Sequence, residues 1–403
     1  MERNHYRLIS HTTRSLLLVF LVVLMGATAF AAGYVTSSYL RLNPQTVQAA
    51  PEASDEEIFS LFWEAWGWVE QSYLGELPSM RQVTYGAIRG ALSTVGDPYT
   101  IFVEPPAREQ EREVLRGNFG GVGANLFRNE SGEIVLEPIP GNPAERAGIL
   151  SGDVLLAVDG VVIVESMTVD AVAEMIRGDK GTTVVLTVRH SGTLQPIELE
   201  VVRDEILIPS VSARILREAP TVGYIQLTRF SGESSSEIAV AIEQLRQEGA
   251  TALILDLRGN GGGLLDAAVE IADHFLVGGP VLYQESRGED ERVYEATDET
   301  LAPDIPLIVL VDGGTASAAE ILAGALRDRQ RALLVGSQTF GKGSVQLVYD
   351  LSDGSSVHVT ASRWLTPARN QIDQHGLTPD TPVESADNDR DLVLQRAIES
   401  LQE

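Results

Sequence analysis

The first feature of the hydrophobic pattern is a stretch of 26 residues without a charge, Ser15 to Leu40, inside which Leu16 to Met25 is wholly apolar. About 20 such residues cross a bilayer. Arg3, Arg7 and Arg14 precede it, and cations on that side hold residues 1–14 in the cytoplasm, so the stretch reads as a single-pass anchor with everything after it outside. The small residues from Ala27 to Gly33 fit the alternative of a cleaved signal peptide, which would give a secreted or periplasmic protein. A buried core helix is the third alternative. Residues 41–54 read as a linker.

From Glu56 to Gln71 the apolar residues Ile58, Leu61, Phe62, Ala65, Trp66 and Val69 recur at helical spacing. A second helix is predicted over Thr84 to Thr94; it stops before GDPYT, Gly96 to Thr100, where Pro98 blocks continuation. Residues 55–115 thus form a small helical domain. From about Asn118 the pattern turns to short apolar runs divided by turn residues, NESG at Asn129 to Gly132 and Asp159-Gly160 among them. Helices are predicted at Pro143 to Ala147 and Val169 to Ile176, and later strands at Thr182 to Arg189 and Ile197 to Val202. Residues 116–204 therefore read as a partly open β barrel with two helices.

Beyond about Leu207 uninterrupted apolar strands alternate with helices, the pattern of an α/β core over residues 205–385. Strands VGYIQL, ALILDL, LIVLVDG and ALLVG are separated by helices at Ser234 to Gln247, Leu264 to Phe275 and about Ala316 to Asp328. A hairpin turns at Asp353-Gly354, and a last amphipathic helix carrying Leu394, Ile398 and Leu401 lies within residues 386–403.

Composition narrows the chemistry. A net charge of -27 with no run of Lys or Arg excludes a phosphate-backbone footprint, so nucleic acid is not a partner. With no cysteine there is no disulfide, thiolate metal site or catalytic thiol. The histidines His5, His11, His190, His274, His358 and His375 show no HExxH spacing, which gives metal ligation no support. Of the 30 basic residues only Lys180 and Lys342 are lysine.

DLRGNGGG, DGGTASAAE and TFGKGSVQ each follow an apolar strand and converge if those strands are parallel neighbours. Ser317 stands where strand gives way to helix, so the Ala318 amide is one of the helix's unpaired donors, suited to an oxyanion. Ser317-Ala-Ala-Glu320 is equally a capping box, in which the serine only caps its own helix. Lys342 lies between glycines, and a desolvated lysine, unlike arginine, can lose its proton and act as general base toward Ser317; the alternative is a solvated loop cation, the reading given to Lys180. Gln346, four residues on, can present an amide oxygen to the amine or be an ordinary edge-strand residue. The glycines of Asp256 to Gly263 supply a second oxyanion donor or merely a tight turn; neither GxxxxGK[ST] nor GxGxxG is present, against a nucleotide loop. A Ser-His-Asp triad built from His358 or His375 with Asp256 stays open, because triads are not legible from sequence order.

These residues resemble the C-terminal processing peptidases, or tail-specific proteases, of the serine/lysine type. The resemblance runs from about residue 55 to 403 through STVGDPYT, FGGVGANL, PAERAGILSGDVLLAVDG, YIQLTRF, DLRGNGGGLL, GTASAAEILAGAL, TFGKGSVQ and LTPD. It implies a ClpP/crotonase-like α/β protease core with an inserted PDZ domain over 116–204, and a C-terminal processing endopeptidase needing no cofactor. Carried onto this chain, Ser317 is the nucleophile, Lys342 the base and Gln346 the residue that holds the lysine; Ala318 and either Gly262 or Gly263 supply oxyanion donors. Gly121, Val122, Gly123 and Ala124 would receive a substrate's terminal carboxylate while a strand edge pairs with the peptide. Partners are then proteins or peptides with free C-termini, with room for a homo-oligomer or an activating partner. Departures touch no catalytic position: Gly261 replaces the usual proline, and WLTPARNQIDQHG differs from the family's TPSGRSIQGKG run. The competing class is a non-catalytic PDZ adaptor that tethers proteins by their tails.

Overall fold

A computed structural model of the protein describes residues 54–383 and 391–402. The charge-free stretch 15–40 and most of the linker lie outside these, and no helix among the described residues is long and apolar enough to cross a membrane. The chain divides into two compact units at Met80. In the first, α1 (Asp55–Ser72) begins at a capping box, with the Ser54 hydroxyl accepting from Glu57 N–H (3.2 Å) and the Glu57 carboxylate from Ser54 N–H (3.0 Å). Its Phe59, Leu61, Trp63 and Trp68 are exposed.

The second unit starts with α2 (Met80–Ser93), β1 (Ile101–Val103) and α3 (Pro105–Arg116). A β-rich stretch follows: β2 (Asn118–Gly121), β3 (Ala124–Arg128), β4 (Ile134–Pro138), α4 (Pro143–Arg146), β5 (Asp153–Val158), β6 (Val161–Val162), α5 (Val169–Ile176), β7 (Thr183–Arg189), β8 (Ile197–Val202) and β9 (Asp204–Leu207). Its main sheet runs β3-β4-β5-β7-β8, with β6 on β5 and β2 paired to β9 as a separate ribbon. Strand β3 therefore keeps a free edge. The core here is a separate cluster around Leu136, Val172, Val184 and Leu186.

Next come β10 (Val211–Ile215), β11 (Val222–Leu227), α6 (Ser234–Gln247), β12 (Ala252–Asp256), α7 (Leu265–Asp273), β13 (Pro280–Ser286) and β14 (Arg292–Glu295). The chain ends with β15 (Leu307–Val311), α8 (Ala318–Asp328), β16 (Leu333–Gly336), β17 (Ser344–Asp350), β18 (Ser356–Leu365), β19 (Thr381–Pro382) and α9 (Leu392–Ser400). One sheet runs β10-β11-β12-β15-β16-β19, parallel except for β10. A second, antiparallel, runs β1-β18-β13-β14 with β17 also on β18.

The unbroken apolar strands are explained by burial on both faces. Leu253, Leu255, Val309 and Val311 pack with residues of α6, α7 and α8, whereas Ile254, Ile308 and Leu310 pack with Val393, Leu394 and Ala397 of α9. Side chains alternate across a strand, so one run serves both layers. Arg258, in the loop after β12, ties this second layer to the sheet: it donates to Asp256 and, with both terminal nitrogens at 2.8 Å, to Asp391, the N-cap of α9.

The lysine-bearing loop leaves the sheet at Gly336, whose φ is 137°; a Cβ there would stand 1.9 Å from the Val311 carbonyl oxygen. Gly336→Ala is expected to cost roughly 2–4 kcal/mol. Chemical denaturation will measure this, and a midpoint equal to that of the parent would contradict it.

Candidate active site

Three loops leave the carboxyl ends of the adjacent parallel strands β12, β15 and β16, and hydrogen bonds from main-chain amides join them. Gly259 N–H donates to Asp312 Oδ1 (2.9 Å), Ala316 N–H to the Asn260 carbonyl (2.9 Å) and Phe340 N–H to the Thr315 carbonyl (3.0 Å). The convergence expected from the order of strands and loops is present.

Ser317 is the N-cap of α8, with φ 55° and ψ -118°. A non-glycine residue held there costs about 1–3 kcal/mol. The turn is the sharp strand-to-helix kind that lifts a hydroxyl clear of the sheet. Ser317 and Glu320 stand in the capping-box arrangement, but the N-cap side chain makes no capping hydrogen bond of its own, and the Glu320 amide donates to the Ser317 carbonyl at 2.8 Å.

Glu320 is entirely buried. Its carboxylate accepts from Ser317 N–H (2.9 Å), Gly341 N–H (2.8 Å), Lys342 N–H (2.9 Å) and the Thr339 hydroxyl (2.5 Å). Hydrogen bonds to a charged group contribute about 1.5–3 kcal/mol each, enough together to hold a strained turn. One buried group thus fixes the serine turn to the lysine loop. Sequence reasoning gave Glu320 only a capping part; the clue was a lone carboxylate in the otherwise apolar first two and a half turns, AAEILAGAL.

The glycine loop lies against the same turn. Gly262 has φ 100°, and a Cβ on it would fall 2.9 Å from Ser317 Cβ and 3.0 Å from Ala318 N. Its amide donates to Asn260 Oδ1 at 2.9 Å, which removes it from the two oxyanion candidates. The Gly263 and Ala318 amides find no acceptor among the described residues and both residues line the cavity beside Ser317.

Lys342 Nζ donates to Gln346 Oε1 at 2.7 Å and lies 5.1 Å from the centroid of the Tyr99 ring. The Gln346 amide nitrogen in turn donates to the Tyr99 carbonyl. The lysine's own hydrogen bond therefore runs to Gln346, not to Ser317. Burial pushes the Lys342 ammonium below the ordinary lysine value, against the opposing charges of Glu111 and Asp97. Lys180, by contrast, is an exposed cation, raised by hydrogen bonds to Asp204 and Glu205.

Ser317, Ala318, Gly263, Lys342 and Gln346 line one cavity of about 280 Å³, walled by Leu264, Leu265, Ile321, Val345 and Trp364. Glu111 of α3, which sequence reasoning did not place here, and His358 of β18, left open there as a triad member, also reach it, with His358 Nε2 3.3 Å from Glu111 Oε2. Burial lowers the His358 pKa. No triad with Asp256 forms: Asp256 is held by Arg258 and by the Tyr224 hydroxyl (2.6 Å), and the exposed His375 sits 2.6 Å from the Asp373 carbonyl.

In the β-rich stretch, the Val122 and Gly123 carbonyls accept from Ala144 N–H (2.8 Å) and Ile139 N–H (2.9 Å). Their amides have no acceptor among the described residues. They lie in the turn that leads into the free edge strand β3, with Gly121 before them and Ala124 opening the strand.

Comparison with known proteins matches residues 221–383 to the family described as Peptidase family S41 and residues 134–190 to the PDZ domain. The carboxyl-terminal-processing protease of Synechocystis sp. is 37% identical over 91% of this chain and 86% of its own length. The chloroplastic carboxyl-terminal-processing peptidase 2 of Arabidopsis thaliana is 36% identical, over 84% and 71% respectively. The carboxy-terminal processing protease CtpA of Bacillus subtilis is 33% identical, over 93% and 78%.

Glu320→Gln keeps the shape of the side chain but turns an amide nitrogen toward donors. We expect labelling of Ser317 by a fluorophosphonate probe to slow about 10²-fold, the scale of a small misplacement of reacting groups, while the protein stays folded by circular dichroism. Labelling at the parental rate would show that the two loops hold their places without this carboxylate.

Proposed function

The chain belongs to peptidase family S41, with the carboxyl-terminal-processing proteases, and from that membership we propose that it is a serine endopeptidase that cleaves near the C-termini of its substrates with Ser317 as nucleophile and Lys342 as base. The observation that carries this is the pairing of a hydroxyl on a strained turn with a desolvated amine in the same small cavity.

A neutral amine has two N–H donors and one lone pair. One donor engages Gln346 Oε1, which leaves the lone pair to take the Ser317 proton as Oγ attacks the scissile carbonyl. The negative charge on the carbonyl oxygen is received by the Ala318 and Gly263 amides, a contribution of about 2.7–4 kcal/mol per donor in comparable sites. The lysine then returns its proton to the leaving amine, and a water molecule, activated the same way, hydrolyses the ester. Gln346 is compatible with both lysine states, since its oxygen accepts from amine and ammonium alike, the more strongly from the ammonium.

Substrate tails enter through the PDZ domain. The free Val122 and Gly123 amides suit a terminal carboxylate, and the β3 edge suits the residues before it. The charge-free segment 15–40 supports export, either as an anchor or as a removed signal. The adaptor alternative is disfavoured because it gives no reason for a half-buried lysine and a serine to line the same cavity.

Ser317→Ala and Lys342→Ala are each expected to abolish cleavage of an unstructured protein with an apolar tail, and Lys342→Arg to be equally inactive because a guanidinium does not deprotonate. Protonated Lys342 cannot act as base, so kcat/KM rises with pH through the lowered lysine value. A peptide with an amidated C-terminus is expected to be cut more slowly than the free acid. Turnover by the arginine variant, or binding with no fragments, would refute the mechanism; equal rates on both peptides would remove tail recognition.

A further inference from the structure

GDPYT, the turn at residues 96–100, packs against the lysine although nothing in the proposed chemistry requires it. Asp97 builds the turn, accepting from Tyr99 N–H (3.2 Å) and from the Thr100 hydroxyl (2.6 Å). The Thr100 hydroxyl accepts in turn from Thr360 N–H at 3.2 Å, and β1 pairs with β18 directly afterwards. Tyr99 is thereby clamped to the strand that walls the lysine's cavity. It reaches the lysine twice: its carbonyl orients the Gln346 amide, and its ring face stands 5.1 Å from Nζ, inside the ~6 Å over which a ring attracts a cation.

We propose that Tyr99 is a positioning residue that holds Lys342 in its resting, ammonium-favouring place, the ring by its negative face and the carbonyl by fixing Gln346. The inference rests on Lys342 being the base. Burial raises the Tyr99 phenol, with Asp373, Asp97 and Glu320 adding to it, so the ring acts as a neutral quadrupole and not as a phenolate. Its attraction exists only for the charged lysine, and it therefore works against the desolvation that makes the amine a base. The GDPYT turn is a brake: it raises the pH at which the amine becomes free, and entry of substrate, which takes the lysine's lone pair into use, has to overcome it.

The other charged and titratable groups around the lysine are Glu111 on α3, Asp97 in the turn, Glu320 of α8 beneath its amide, His358 on β18 and Asp373 beside Gly343. All of them stay in place when only the ring is changed. The test is the pH dependence of Ser317 labelling by a fluorophosphonate in the full chain, which reads the base without a substrate. Tyr99→Phe retains ring and carbonyl and should keep the parental ascending limb. Tyr99→Leu retains the carbonyl alone and should move that limb down by about 0.5–1.5 pH units, the range expected for one cation–ring contact. Tyr99→pentafluorophenylalanine, which preserves size and packing but removes the negative face, should move it the same way as leucine and covers the case in which the leucine variant does not fold.

A pentafluorophenylalanine limb that coincides with that of phenylalanine would overturn the proposal, as would a phenylalanine limb displaced as far as leucine's. Lys342→Ala separates the two levels of the argument. If it labels at the parental rate, the base assignment fails and this inference with it; if it is inert while the ring variants leave the limb unmoved, only the role of Tyr99 fails.

Discussion

A carboxylate sealed from water must be surrounded by donors or it unfolds the site around it, and Glu320 meets that requirement with main-chain N–H groups from two separate loops. The consequence is geometric. Ser317 and Lys342 lie 25 residues apart and on different loops, yet the amide of each ends on the same pair of oxygens. The spacing of the proposed nucleophile and base is thus set by one ion and not by the flexibility of either loop, and the strained Ser317 backbone persists because releasing it would strand a buried charge.

The same economy of position appears around the lysine. Burial favours the neutral amine, whereas Glu111, Asp97 and the Tyr99 ring favour the ammonium. Burial prevails, so the amine is freed at a lower pH than an ordinary lysine, the direction a general base requires. Gln346 serves either state. On the outer side, Arg258 joins the glycine loop to the N-cap of α9, so that helix steadies the loop that carries the proposed oxyanion donor.

Much of this was legible beforehand. The helices at 234–247 and 169–176 and the strand at 197–202 match their sequence patterns residue for residue, because amphipathic periodicity and continuous apolar runs report burial directly. Less visible were β13 and β14, which carry Gln284, Glu285, Arg292 and Glu295 and have no clean alternation to announce a half-buried antiparallel pair. Ser317, Lys342 and Gln346 could be singled out by residue type and by the scarcity of lysine. Glu320, Tyr99 and Glu111 could not be placed, since each owes its part to contacts across 18 or more residues that no local pattern records. Gly262 and Gly263 were indistinguishable until the Asn260 side chain was seen to occupy one amide.

Because only Lys180 and Lys342 are lysine, isotope-labelled lysine gives two side-chain signals, and Lys180→Arg leaves one. Following that signal by NMR as pH is raised, in protein whose Ser317 reactivity is measured in the same samples, reads the proton on the proposed base itself. The account predicts that Lys342 loses its proton below the ordinary lysine value of ~10.4 and that serine reactivity rises in step with it. An ammonium that stays intact through the alkaline range while the serine is already reactive would contradict it.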